Sequence, residues 1–101
     1  MSARFSLSEW NFQMLMLVQA LVGAVSSNFR MVSLSCDDAG WILSFYLEKD
    51  LEDDVEEIED VVCQYTAYQD SNLKCRYEVV IGDQSLPVLA ESERVVYRRR
   101  E

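Results

Sequence analysis

Between Leu51 and Gln69 the apolar residues Leu51, Val55, Ile58, Val61, Val62, Tyr65 and Tyr68 recur three and four positions apart, the spacing of one helical face. Every charged residue from Glu52 to Asp60 is acidic and falls off that stripe. Asp50 stands where an N-cap is wanted, and the carboxylates after it lie at the positive end of the helix dipole. The acid run therefore reads as the solvent face of an amphipathic helix. Such a helix needs an apolar surface to lie on, and that need constrains the rest of the chain.

Strands on both sides supply the surface. Phe29 to Cys36 alternates, with Val32, Leu34 and Cys36 on one side and Met31, Ser33 and Ser35 on the other. Asp37-Asp38-Ala39-Gly40 makes a hairpin turn, and Trp41 to Glu48 alternates again, Trp41, Leu43, Phe45 and Leu47 against Ile42, Ser44, Tyr46 and Glu48. One apolar and one mixed face on each strand is the pattern of a sheet covered on one side only. After a turn at Asp70-Ser71-Asn72, Leu73 to Ile81 forms a third strand. A loop from Gly82 to Glu93, containing the only proline, leads to an arginine-rich fourth strand, Arg94 to Arg100.

Met1 to Val25 reads as a first helix capped by Ser6 or Ser8. Trp10, Met14, Leu17, Leu21 and Val25 share a face that Leu15, Val18 and Val22 widen. Its apolar run is too short to span a bilayer, and Glu9 with a weak positive start argues against a signal peptide. The order αββαββ predicts an α+β two-layer sandwich: a four-stranded sheet with both helices on one face. The length predicts a single domain over residues 1–101. The first two strands should pair antiparallel. The connection through the acidic helix would be parallel and right-handed if its strands are neighbours, and strand order stays open.

Charge is concentrated. Residues 48–60 hold nine acids against Lys49, a net of −8 in a chain of net −9. That balance argues against direct nucleic-acid binding and against anionic membranes. It suits a cationic protein partner, although a solvated face that only keeps the chain soluble is the plainer alternative. Calcium does not fit: counting from Asp50, an EF-hand would need glycine where Val55 stands. With no histidine there is no histidine-based dyad or triad, zinc would need unusual ligands, and nothing calls for a cofactor. Exposed carboxylates on one helix also lack the burial that splits an acid–base pair. Cys36, Cys63 and Cys75, odd in number and flanked by apolar residues, read as buried free thiols of a reducing, cytoplasmic setting. The basic end, Arg94, Arg98, Arg99 and Arg100, reads as edge-strand protection or as pairing with the acidic helix.

Leu21-Val22-Gly23-Ala24-Val25-Ser26-Ser27-Asn28-Phe29-Arg30, Phe45-Tyr46-Leu47-Glu48, Glu56-Glu57-Ile58-Glu59 and Val96-Tyr97-Arg98-Arg99-Arg100-Glu101 resemble small bacterial immunity proteins. Those proteins accompany the toxins of contact-dependent growth inhibition and related polymorphic toxin systems. The likeness runs from Leu15 onward. It implies a cytoplasmic, non-enzymatic protein that binds and neutralises a cognate toxin domain, often a nuclease. A nuclease must hold phosphates on a basic surface, and a dense acidic helix complements one. The expected partner-binding set is Glu52, Asp53, Glu56, Glu57, Glu59 and Asp60, with Asp37 and Asp38 as outlying candidates. The Gly82–Glu93 loop or the mixed sheet face could make the contact instead. A small acidic adaptor that dimerises through a sheet edge, with no toxin partner, and a small enzyme whose site forms only in the fold remain alternatives.

Overall fold

The computed structural model describes residues 5–67, 69, 72–89 and 92–101. Its elements follow the expected order: α1 (Leu7–Leu21), β1 (Phe29–Asp37), β2 (Gly40–Leu47), α2 (Glu52–Ala67), β3 (Cys75–Ile81) and β4 (Arg94–Arg98). α1 is shorter than the apolar run suggests. Ser6 opens it with a reciprocal capping box to Glu9, and Val22 and Gly23, the latter at φ +80°, take the chain out of the helix. Tyr68, assigned to the stripe of the second helix, lies outside the described residues, as do Asp70 and Ser71 of the following turn.

The four strands form one mixed sheet in the order β3-β2-β1-β4. β1 pairs antiparallel with β2 and with β4, whereas β2 and β3 run parallel, so α2 is the crossover between parallel neighbours. Gly40 starts β2 at φ +135°, where an added Cβ would overlap the backbone of Lys74. The Trp41 amide bonds that same Lys74 carbonyl, so close backbone approach sets the β2–β3 register.

Both helices lie on the face made by Val32, Leu34, Leu43, Phe45 and Leu47, all fully buried. α1 contributes Trp10, Leu17, Ala20 and Leu21; α2 contributes Ile58, Val61 and Tyr65. Fully burying a side chain of this size is worth roughly 1.5–3 kcal/mol. Trp41 closes one end, stacked on Phe5 at 4.3 Å and edge-on to Trp10 at 4.9 Å. Two expectations about these faces fail. Leu15, Val18 and Val22 do not widen the buried side of α1 but point outward, while Gln13 and Ala20 turn in. Leu51 is 45% exposed, and its place on the inner side of α2 is taken by Asp54.

The sheet is not covered on one side only. Met31, Ser33 and Ser44, all of the mixed face, are buried. The strand order bears on this: β3 and β4 are opposite edges, so the chain leaving β3 has to pass from one edge of the sheet to the other. At a bulge in β1, the nearly buried Arg30 donates to the carbonyls of Gly82 and Gln84 and holds the start of this connection. Its remaining edge grips the Glu101 carboxylate through Nε at 2.9 Å and Nη2 at 2.8 Å. This fork geometry is available to arginine alone.

Candidate functional site

α2 is fixed at three places, and together they decide which of its acids face outward. At its start, Asp54 is buried and accepts from Ser26 Oγ and Asn28 Nδ2, both at 2.9 Å. The Asn28 side chain also bonds Lys49, accepting from its N–H and donating to its carbonyl at 2.8 Å each. The turn after α1 thus holds the start of α2, a task the sequence assigns to Asp50. In the middle, Ile58 and Val61 enter the core. At the far end the Tyr65 hydroxyl donates to Gln13 of α1, and Gln13 Nε2 donates to Gln69 at 2.7 Å. Burial pushes the Tyr65 phenol well above its ordinary value, which keeps it a donor.

With Asp54, Ile58, Val61 and Tyr65 pointing inward, the predicted set falls on the opposite side. Glu52, Asp53, Glu56, Glu59 and Asp60 are exposed and Glu57 is half-buried at the flank. All six lie on one rigid 16-residue helix, and none forms an ion pair with another described residue. A cleft of about 440 Å³ adjoins this surface, lined by Ser26, Ser27, Asn28 and Leu51 together with Glu52, Asp53 and Asp54.

The other sequence candidates are less available. Asp37 is bound to Arg76 at 2.6 Å, and that guanidinium holds its carboxyl below the ordinary range. Among the described residues no ion pair joins an arginine of the basic end to the acidic helix. Arg99 bonds Glu48, Glu101 and the Ser27 carbonyl, and Arg94 lies over the Trp10 ring at 5.2 Å. Cys63 is exposed on α2, not buried as its neighbours suggest. Cys36 and Cys75 are half-buried on strands separated by β2, about 9–10 Å apart at two strand spacings and too far for a disulfide. Among the described residues no group of three acids and cysteines is arranged to hold a metal ion. No described helix is long and apolar enough to cross a membrane.

Sequence reasoning missed the Ser26–Asn28–Asp54 network and the Arg30 clamp. Ser26-Ser27-Asn28 did register as turn residues, but nothing local shows that they hold a helix 26 or 28 positions away. No curated protein matches the chain. The MafI2 immunity protein family matches residues 12–101, leaving out Trp10, whose place in the core is structural. The chain belongs to the MafI2 immunity protein family.

Proposed function

We propose that this protein binds a cognate toxin domain and neutralises it one-to-one, without turnover, in the cytoplasm. The contact falls on the outer face of α2, through Glu52, Asp53, Glu56, Glu57, Glu59 and Asp60. The toxin is of the kind that carries a basic surface, as a nuclease must to hold phosphates. Family membership supports the partner class. The observation that supports the surface is the acid face itself, aligned on a fixed helix and left unpaired by the described residues. Intramolecular partners would have cancelled its field; without them it steers a cationic partner and shields that partner's basic cleft.

The test is a variant with Glu56, Glu57, Glu59 and Asp60 replaced by the corresponding amides. Its circular dichroism and melting should match the parent, because these side chains lie outside the core. Association with the toxin encoded beside it should slow, and the parent's association rate should fall with salt while the variant's hardly changes. Unchanged affinity in the folded variant would move the contact elsewhere and leave neutralisation standing. Failure of the parent to bind that toxin at all would remove the reading.

A further inference from the structure

We infer that the outer face of α1 is a self-association surface on which two copies of this chain pack helix against helix about a two-fold axis. Leu7, Phe12, Leu15, Val18 and Val22 are 73%, 49%, 52%, 43% and 80% exposed. They form an apolar stripe along the whole helix and onto its first following residue, about 22 Å at the helical rise. A helix apolar on both sides normally has protein on both sides. Here the inner side has the sheet and α2, and none of the described residues outside α1 covers the outer side.

Spacing and charge say what covers it. Asn11, Leu15, Val18 and Val22 follow the four-three-four interval of a coiled-coil seam, which fits another helix better than a flat surface or a strand. An antiparallel pair sets Leu15 of each copy against Val18 of the other, with Val22 against Asn11. The only ionisable residue of α1 is Glu9, already engaged in the capping box. This suits a second copy above other occupants. Two chains of net −9 repel across most of their surface, and the α1 face is where they can touch without opposing acids. A basic toxin surface would lose hydration against an uncharged stripe and gain no partner. A lipid surface would want a helix whose polar face is rich in lysine or arginine, and α1 itself carries neither. One helix face with five exposed apolar side chains makes a small contact, so the dimer is weak.

Sedimentation of the full chain from about 1 µM to about 1 mM tests this, the range in which a weak complex of this kind dissociates. The mass should rise from 11.7 kDa toward twice that value with concentration. Salt should favour the dimer by screening two like-charged chains, the opposite sign to its effect on an acid-face contact. Leu15→Glu should raise the dissociation constant more than about tenfold, since it buries an unpaired charge at the seam. Its circular dichroism should be unchanged, and Val18→Lys serves where that variant fails to fold. A monomer throughout overturns the inference, as does a dimer that survives both substitutions and so pairs through another surface. Wild-type monomer whose toxin binding is lost in Leu15→Glu also overturns it, by giving the stripe to the toxin.

Discussion

The two helices lie side by side on one sheet, are 15 and 16 residues long, and each sends an aromatic and several aliphatic side chains into the core. Their outer sides could hardly differ more. α2 turns five exposed carboxylates outward, and α1 turns leucine, valine and phenylalanine. Packing on the sheet cannot explain the difference, since the sheet asks the same of both. An outer face is free of the core's demands, so its composition is the clearest record of what else the helix meets. The acid face carries a field that reaches beyond contact distance, and the apolar face carries none.

The largest expected effect separates inner from outer residues. Ile58→Ala on α2 removes a fully buried side chain and should cost about 2–5 kcal/mol in chemical denaturation. Glu57→Ala on α2 and Leu15→Gln on α1 should each change stability by less than about 0.5 kcal/mol, measured at a concentration where the chain is monomeric. Similar losses at Leu15 and Ile58 would mean that the outer side of α1 is part of the fold, and the contrast would collapse.

A smaller effect divides the acid run itself. Asp54→Ala leaves the Ser26 hydroxyl and one Asn28 amide proton without their acceptor and should cost about 1–3 kcal/mol. Glu56→Ala, two positions on, should be close to neutral in stability and should slow association with the toxin instead. Equal stability losses would show that the acids act as one block, and α2 would no longer divide into an anchoring side and an outward side.

The smallest effect lies in the frame that neither outer face touches. The Arg30 guanidinium, by hydrogen-bonding the Glu101 carboxylate, brings its pKa from the ordinary 4.5 down to about 2. A lowered carboxylate contributes stability that is complete above the ordinary value and is lost as pH falls through the folded one. Glu101→Gln should therefore melt below the parent by a constant margin above pH 4.5, a margin that closes toward pH 2. A margin that stayed constant to pH 2 would assign the difference to shape and not to charge.

Much of this fold was legible because each element carries its own period. The alternation of Val32, Leu34, Trp41, Leu43 and Phe45, and the three-four recurrence through Val55, Ile58, Val62 and Tyr65, need no knowledge of the rest of the chain. α1 was legible as a helix but not in its orientation. Apolar on nearly every side, it has too little contrast to show which residues turn in. Burial of the mixed sheet face was hidden for another reason: it goes with β3 and β4 being opposite edges, and strand order is not written in any one segment. Asp54 was placed with the solvent-facing acids because its partners, Ser26 and Asn28, precede it by a whole hairpin. The outward placement of the candidate acids was readable from spacing, whereas the contact they make depends on a second molecule's surface.

The strand order also bears on how the sheet comes apart. β1 and β2 are its interior strands, joined by the shortest connection in the sheet, and each has a neighbour on both sides. Their pairing is local in sequence and closes at little entropic cost, whereas β3 waits for α2 and β4 waits for the long crossing. Amide hydrogens of Val32, Leu34 and Phe45 should therefore exchange more slowly than those along the outer edges of β3 and β4, which local fraying can expose. The central hairpin is thus both the first piece that can form and the last that can be lost.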